Sequence, residues 1–263
     1  MKNSCFVSLV CLFFCMLSCS CVFSEESPLS TVKEPLLDTD QLMYPKNIIF
    51  FSQDFYLAIR YEDPIDAYLD TLSNLNLNHL SDDLNTQDIK LAFWINIYNS
   101  LVQSKIILDE KSFVNQEEFF NKQDLIFGGF RISLDDIEHG ILRGKKSNNS
   151  LVAKFKLDEL DNRIHFTMNC GAHSCPAIAY YQPANIEEQL SLAENVFTLG
   201  NSSYDTVSNV LITSELFSWF KEDFQGESGI IDVMKKNGIV PTNVTPVIKY
   251  ESYNWDLTPR NYK

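Results

Sequence analysis

The segment from Arg163 to Pro176 holds the residue types best suited to chemistry. It contains two thiols, two imidazoles and a side-chain amide, contributed by His165, Asn169, Cys170, His173 and Cys175. Alternating apolar and polar residues over 163–169 predict a strand, and the Cys-Gly pair that follows predicts a turn. A side chain at such a junction can reach a cleft that has backbone N–H groups beside it. The pattern therefore predicts a functional site at the end of a strand.

Acyl transfer by a cysteine is the first chemistry that these residues permit. A thiol attacks only as its thiolate, so it needs a neighbouring base. We predict Cys170 as the nucleophile, with Cys175 as its substitute, and His139 as the general base. Asn169 or Glu138 is the predicted orienting partner of that imidazole. The corresponding function is a cysteine-dependent hydrolase or acyl transferase that acts on amide-type bonds.

The same cysteines allow two other interpretations. Cys170 and Cys175 are close enough in sequence to form a disulfide that pins the loop in an oxidising compartment. The protein would then be a non-catalytic module that binds a ligand or another protein. With His165 and His139 the cysteines also offer the ligand types of zinc, but the histidines lack the paired spacing of zinc sites. We therefore predict no metal and no cofactor.

Other polar residues are expected around the site. Asn96 and Asn99 follow one stripe of a buried helix and must find partners, either in the backbone of a loop or in a ligand. Glu138, Arg143 and Arg163 could form a structural ion-pair network around the loop. The residues that we predict to bind substrate are Asn96, Asn99, Arg143 and His165.

A long buried helix is the main structural prediction. Residues Gln87–Leu108 are apolar nearly all round, which is typical of a helix inside a core. The chain has 263 residues, of which 45% are hydrophobic and 13% aromatic, so it can bury a sizeable core. The predicted fold class is α+β (mixed α/β). We expect a single globular domain in which a small sheet, containing 163–169, packs against the central helix.

Shorter elements must position the predicted base. Gly128-Gly129 predicts the turn of a hairpin between strands at 125–127 and 130–132. Ser133, followed three residues later by Asp136, has the pattern of a helix N-cap. That helix would carry His139 and end at Gly144.

The net charge of −14 excludes some partners. Binding to nucleic acid through its phosphates requires Lys and Arg side chains, and electrostatic docking on anionic lipid requires the same. We therefore predict no nucleic acid partner. A peptide or a small-molecule substrate remains the expected partner.

The N-terminus predicts export. Lys2 precedes an apolar run, and Glu25 follows it, as in a secretory signal peptide over residues 1–24. Cys19 resembles the lipidated residue of a bacterial lipoprotein, so a lipid anchor is the only predicted membrane contact. A polar, proline-containing linker follows at 25–46, and the folded domain occupies 47–263. The predicted location is secreted or periplasmic, in the cell envelope.

Four motifs resemble one known family, the domain-of-unknown-function 547 (DUF547) family. They are Ala92–Asn99, Ser133–Arg143, Arg163–Pro176 and Tyr250–Trp255, and they occur in the expected order. The resemblance spans roughly residues 47–258 and implies an uncharacterised family found in bacterial secreted proteins and in plants. It implies no established reaction. The common residues that it implies are Asn96, Asn99, Glu138, His139, Arg143, His165, Asn169, Cys170 and Cys175.

Overall fold

The computed structural model describes residues 44–262. The predicted signal peptide, the lipid-anchor candidate Cys19 and the linker up to residue 43 lie outside these residues. The α-helices are α1 (Ile48–Tyr61), α2 (Asp66–Ser73), α3 (Leu77–Asp83), α4 (Gln87–Leu108), α5 (Gln116–Asn121), α6 (Ser150–Phe155), α7 (Ile186–Asn201), α8 (Leu216–Trp219) and α9 (Glu227–Lys236). The strands are β1 (Leu125–Phe127), β2 (Phe130–Ile132), β3 (Ser202–Asp205), β4 (Val210–Ser214) and β5 (Val247–Glu251). A π-helix spans Asp136–Leu142, and 3-10 helices span Glu110–Val114, Asn162–Phe166 and Pro183–Asn185.

Helix α4 is the central element, with the bounds that the sequence predicts. Thr86 caps it, because its side chain accepts a hydrogen bond from the Ile89 N–H at 3.3 Å. Every side chain from Leu91 to Ser104 is buried, including the polar ones, and Trp94 is fully enclosed. Helix α1 packs along it. Such burial on every side explains why the helix has no polar face.

The β1–β2 hairpin is the small sheet that packs on this helix. Its strands are antiparallel, with Phe127 opposite Phe130. Gly128 and Gly129 make the turn with φ of +53° and +81°, which favours glycine at both positions. The Phe127 ring lies 5.1 Å from the Trp94 ring of α4. The predicted arrangement of a small sheet against the central helix is therefore confirmed, although residues 163–169 are not in that sheet.

The strand predicted over 163–169 is wrong. Residues Asn162–Phe166 form a 3-10 helix, capped by the Asp161 carboxylate, which accepts the Arg163 N–H at 3.0 Å. Ile164, His165 and Phe166 are all buried, so this stretch has no exposed face. Its short alternation of polar and apolar residues therefore does not separate core from solvent. That separation is what the strand prediction assumed.

A second group of buried residues lies in the C-terminal part of the domain. It is centred on the aromatic rings of Phe166, Phe197, Phe217 and Phe224. Beside it, β4 pairs with β3 antiparallel and with β5 in parallel, giving the strand order β3-β4-β5. Because Phe166 belongs to this group while Ile164 packs in the core around α4, the 3-10 helix joins the two. The described chain is one α+β domain, as predicted.

Candidate functional site

The π-helix presents several polar side chains to one side. Ser133 and Asp136 start it with a reciprocal pair of hydrogen bonds, each 3.0 Å long, in which each side chain accepts the backbone N–H of the other residue. The hydrogen bond that defines a π-helix joins residues five apart. Here the Arg143 N–H donates to the Glu138 carbonyl at 2.9 Å. Single turns of this kind occur often at functional sites. The helix that was predicted here is therefore present, in the π form.

Gly140 lets the π-helix approach α6 closely. A Cβ atom at this position would lie 2.6 Å from Cγ1 of Val152, which is buried. We expect Gly140→Ala to lower the free energy of unfolding by about 1–3 kcal/mol, the usual cost of overpacking. Urea denaturation measures this. In a Val152→Ala background the same change should cost less, because the clashing methyl group is gone. Equal costs in the two backgrounds would contradict the close contact.

A cleft of about 330 Å³ opens beside the π-helix. Its carboxylates come from Glu117, Asp135 and Glu138, and its imidazoles from His139 and His165. Its aromatic and sulfur-containing lining includes Trp219, Phe220, Tyr253, Trp255 and Cys170. We call it the aromatic–acidic cleft. It contains four of the nine predicted site residues, namely Glu138, His139, His165 and Cys170.

Glu138 is fixed by Tyr98 of the central helix. The Tyr98 hydroxyl donates to Oε2 of Glu138 at 2.6 Å. Burial raises the pKa of Tyr98 well above its usual value, and the Glu138 charge raises it further. Tyr98 therefore stays a neutral donor, and Glu138 keeps Oε1 for other partners.

His139 carries its proton on the nitrogen that faces Asp135. Arg143 can only donate, and its Nη1 lies 3.0 Å from Nδ1 of His139, so Nδ1 accepts. The other ring nitrogen, Nε2, lies 3.7 Å from Oδ1 of Asp135. Burial raises the pKa of Asp135, an effect opposed by His139 and reinforced by Glu138. His139 is thus oriented by Arg143, and neither Asn169 nor Glu138 hydrogen-bonds to it.

Cys170 and Cys175 form a disulfide with an S–S distance of 2.09 Å. Cys170 Sγ lies 3.4 Å from the Tyr253 hydroxyl, which is the only member of this pair with a proton to donate. Among residues 44–262, no imidazole nitrogen hydrogen-bonds to either sulfur, so the predicted contact of His139 with Cys170 is not formed in this state. The disulfide that was predicted as the alternative is present.

Asn169 organises the loop that the disulfide closes. Its Nδ2 donates to the Pro176 carbonyl at 2.6 Å, and its Oδ1 accepts the Gly171 N–H at 2.9 Å. The side chain is fully buried. From α4, Gln103 donates to the same Oδ1 at 3.2 Å. Asn169 is therefore bonded to the loop and to Gln103, and it makes no hydrogen bond to a histidine of the described residues.

Asn96 and Asn99 bind backbone rather than the cleft. Asn96 donates to the Tyr181 carbonyl at 3.0 Å and accepts the N–H of the same residue at 2.7 Å. Asn99 donates to the Thr167 carbonyl at 2.9 Å and accepts the Asn169 N–H at 2.8 Å. Both amides are fully buried. Their predicted contact with substrate thus has no basis in this geometry, and the loop-backbone alternative describes what they do.

Asp223 connects three cationic or ionisable side chains beneath the cleft. It accepts hydrogen bonds from Arg143 Nε at 2.6 Å, Lys145 Nζ at 3.0 Å and His165 Nε2 at 3.0 Å. Burial alone would raise the pKa of Asp223, but these three donors outweigh it and hold that pKa well below its usual range. Arg143 is thereby committed to Asp223, His139 and the Phe220 ring. It does not line the cleft, where it was predicted to bind substrate.

The predicted ion-pair network is divided into separate contacts. Glu138 pairs with Tyr98, whereas Arg143 pairs with Asp223. Arg163 binds Asp161 and Glu187 on another part of the surface. These residues therefore do not surround the loop as one network.

His165 is buried with one nitrogen unpaired. Its ring stacks on Phe220 at 3.9 Å, and its Nε2 is hydrogen-bonded to Asp223. Burial lowers the pKa of His165, against an opposing hydrogen bond from Asp223, so the ring is neutral at pH 7. A neutral ring that donates from Nε2 has an acceptor at Nδ1, and that atom has no hydrogen-bond partner among residues 44–262. His165 therefore packs at the base of the cleft with a buried acceptor nitrogen that solvent does not reach.

The aromatic wall of the cleft was not predicted from sequence. Trp219 of α8 lies 4.8 Å from the Tyr253 ring and 5.7 Å from the Trp255 ring. Backbone hydrogen bonds hold the segment around Tyr253 against the disulfide loop, for example from Ser174 N–H to the Asn254 carbonyl at 3.2 Å. Tyr253 and Trp255 are two residues apart, which would have indicated a shared side in an extended segment. Nothing in the sequence pointed to Asp223.

Two features are absent from the described part of the chain. Within residues 44–262, no cluster of three His, Cys, Asp or Glu side chains is arranged to hold a metal ion. Across the same residues, no helix combines the length and apolarity needed to cross a membrane.

Comparison with known proteins gives one match. Residues 82–198 match the model of a family described as "Protein of unknown function, DUF547". Comparison with curated proteins and with solved structures finds no match. The matched region contains Glu138, His139 and the disulfide, but not Trp219, Asp223, Tyr253 or Trp255, so it is shorter than the resemblance over 47–258. Over residues 82–198 the chain therefore matches the DUF547 family.

Proposed function

We propose that the aromatic–acidic cleft binds an organic cation with an apolar body, such as an amine or the side chain of a cationic peptide. The observation that carries this proposal is the composition of the lining. It combines the carboxylates of Asp135, Glu138 and Glu117 with aromatic rings, of which that of Trp219 is the most exposed. Among the described residues, no lysine or arginine is part of it. A ligand with a positive charge and hydrogen-bond donors complements such a lining.

The aromatic rings contact the apolar body of the ligand and strengthen the preference of the cleft for a cation. Trp219 is 44% exposed, so its ring is available to a ligand. A cation over the face of a tryptophan or tyrosine gains about 0.5–2 kcal/mol. The net charge of −14 favours approach of a cation from solution.

The disulfide supports binding over thiol catalysis. A hydrolase with Cys170 as nucleophile needs that sulfur as a thiolate, and it is bonded to Cys175. The predicted hydrolase or acyl transferase would therefore require prior reduction. Binding requires no change at the sulfurs, which form part of the wall.

We also propose that the protein acts outside the cytoplasm, as a secreted or envelope protein. The support is the signal-like N-terminus together with a disulfide, since disulfides persist in oxidising compartments. A lipid anchor at Cys19 remains part of this proposal. Mass determination of the mature N-terminus after expression in the native host tests it. Retention of residues 1–24 would contradict it.

A matched pair of ligands tests the binding site. We expect 2-phenylethylammonium to bind at least about 10-fold more tightly than 3-phenylpropanoate, which has a similar shape and the opposite charge. Isothermal titration calorimetry at pH 7 measures both affinities. Glu138→Gln should weaken binding of the amine by about 10-fold, or about 1.4 kcal/mol. Tighter binding of the anion, or no binding of either compound at millimolar concentration, would overturn the proposal.

Glu188→Gln is the matched control for that substitution. Glu188 is exposed on α7 and does not line the cleft. It changes the net charge by the same amount as Glu138→Gln. An equal loss of affinity in the two variants would mean that overall charge, and not the cleft, attracts the amine.

A further inference from the structure

The two sulfurs of the disulfide lie in different surroundings. Cys170 is partly exposed and lines the aromatic–acidic cleft. Cys175 is 5% exposed and belongs to the buried core. A reagent that enters the cleft therefore meets Cys170 first. In thiol–disulfide exchange, which sulfur is attacked depends on this kind of access.

Cys175 is the sulfur whose negative charge the protein can stabilise. Its Sγ accepts the Cys170 N–H at 3.1 Å and the Ala172 N–H at 3.2 Å. Hydrogen bonds from N–H groups strengthen when the acceptor becomes an anion, and they lower the pKa of the acid that it forms. A thiol of lower pKa leaves faster in an exchange reaction. Cys175 is thus prepared as the leaving group when Cys170 is attacked.

We propose that Cys170–Cys175 is a redox-active disulfide that exchanges with thiols entering the cleft, with Cys170 as the attacked sulfur and Cys175 as the leaving thiolate. The substrate class is a dithiol, or two thiols, that become oxidised to a disulfide.

Both steps conserve electrons and atoms. A substrate thiolate attacks Cys170 Sγ, the new S–S bond forms, the Cys170–Cys175 bond breaks, and its electron pair goes to Cys175 Sγ. A second substrate thiolate then attacks the substrate sulfur of the mixed disulfide, and Cys170 leaves as a thiolate. The substrate loses two electrons, the protein disulfide gains them, and the two thiol protons pass to solvent or to the cysteines.

Tyr253 is placed to assist the second step. Its hydroxyl lies 3.4 Å from Cys170 Sγ. Burial raises the pKa of Tyr253, and the Glu138 charge adds to this, so the phenol keeps its proton at neutral pH. It can donate that hydrogen bond to the Cys170 thiolate as it leaves.

The loop has anchors other than the disulfide, so the reduced protein can stay folded. The Asn169 side chain bridges Gly171 and Pro176 within the loop. Backbone bonds tie His173 to Asp256 at 2.8 Å and Thr258 to Gly171 at 2.8 Å. If the disulfide served only to hold the loop, it would repeat what these hydrogen bonds already do. If the disulfide exchanges with thiols, these hydrogen bonds are required, because they keep the loop in place after reduction.

The charge of the preferred thiol follows from the lining and rests on the proposed function. Glu138 and Asp135 favour a thiol that also carries a cationic group and disfavour an anionic one. An aminothiol, or a cysteine-containing peptide with Lys or Arg, fits both requirements.

Limited reduction of the native protein tests the exchange. Cysteamine, 2-mercaptoethanol and 3-mercaptopropanoate present a cationic, a neutral and an anionic thiol of similar size. Samples are quenched with iodoacetamide, and mass spectrometry locates the mixed disulfide and the alkylated cysteine. Rates are expressed per thiolate and divided by the rate of the same thiolate with an uncharged small disulfide, because the nucleophilicity of a thiolate also depends on its pKa.

We expect reduction of the folded protein by all three thiols, with the mixed disulfide on Cys170. Cysteamine should react at least about 10-fold faster than 3-mercaptopropanoate. A mixed disulfide on Cys175 would overturn the proposal. So would reduction no faster than global unfolding, measured by urea-jump kinetics on the same sample. Fast reduction without a charge preference would uphold the exchange and would count against the proposed cation site.

Single-cysteine variants assign the roles of the two sulfurs. With Cys175→Ser, Cys170 remains in the cleft as a free thiol and should form a stable mixed disulfide with cystamine, the disulfide of cysteamine, with release of one cysteamine. With Cys170→Ser, Cys175 is buried and should be alkylated at least about 10-fold more slowly. Circular dichroism shows whether each variant is folded, and the native-protein experiment stands if one is not. Equal alkylation rates in two folded variants would contradict the assignment.

Discussion

Asp223→Asn is expected to lower the free energy of unfolding by about 3–5 kcal/mol, the usual cost of removing one partner from a buried ion pair. The Arg143 guanidinium would stay in the interior without the carboxylate that balances its charge, and the neutral His165 ring would lose its charged acceptor. The Asp223 side chain is only 1% exposed, so water cannot replace the contact cheaply. Urea denaturation at pH 7 gives the difference from the unsubstituted protein.

Asp232→Asn is the matched control, because it removes the same charge from an exposed position on α9. We expect it to change the free energy of unfolding by no more than about 0.5 kcal/mol. Similar effects of the two substitutions would show that Asp223 acts only through net charge, and not through its three hydrogen bonds.

The sign of the pH dependence follows from the depressed pKa of Asp223. Its unfolded pKa is about 3.9, and its folded pKa is lower because of the three donors. The stabilisation is therefore fully present above about pH 4, and it is lost as the pH falls towards the folded pKa. The difference between the unsubstituted protein and Asp223→Asn should begin to shrink only below about pH 4.

His165 affects the free energy of unfolding at a higher pH than Asp223 does. Burial lowers its pKa below the unfolded value of about 6.5, so the unfolded chain takes up the proton first. Stability should be constant above that value and should fall as the pH drops below it. The structural cause is that protonated His165 would add a charge to an interior where Arg143 already shares Asp223.

Local sequence signals located the elements that carry part of the site. The Gln87–Leu108 helix could be predicted to the residue, because its cap, length and apolar composition agree. The hairpin followed from Gly128-Gly129, and the start of the π-helix from Ser133 and Asp136. In each case the signal and the structure that it indicates lie within a few residues of each other.

The rest of the site depends on contacts that no local pattern contains. Asp223 is paired with Arg143 across 80 positions, and Tyr253 meets Cys170 across 83. The sequence of residues 163–169 resembles that of a strand. Because this stretch is buried on all sides, its apolar residues do not show the spacing that would indicate a helix. His165 was predicted to bind substrate, and its place at the base of the cleft depends on Asp223, which sequence alone could not supply.

Asn99→Ala is expected to cost about 2–5 kcal/mol, because it leaves two buried backbone groups without a partner. The Thr167 carbonyl loses its donor and the Asn169 N–H loses its acceptor. Since Asn169 in turn shapes the disulfide loop, the substitution should also speed reduction of Cys170–Cys175 by 2-mercaptoethanol. Urea denaturation and the iodoacetamide quench measure the two effects.

Asn96→Ala separates these two consequences, because Asn96 makes the same kind of paired contact one turn earlier on α4. It bonds to Tyr181, outside the disulfide loop, with lengths of 3.0 and 2.7 Å. We therefore expect no faster reduction and a smaller loss of stability, because Gln53 Nε2 still donates to the Tyr181 carbonyl at 3.1 Å. If both variants sped reduction equally, general loosening of the core would account for it. If only Asn99→Ala did so, the buried amide of the central helix would be a positioning residue for the disulfide, acting through Asn169.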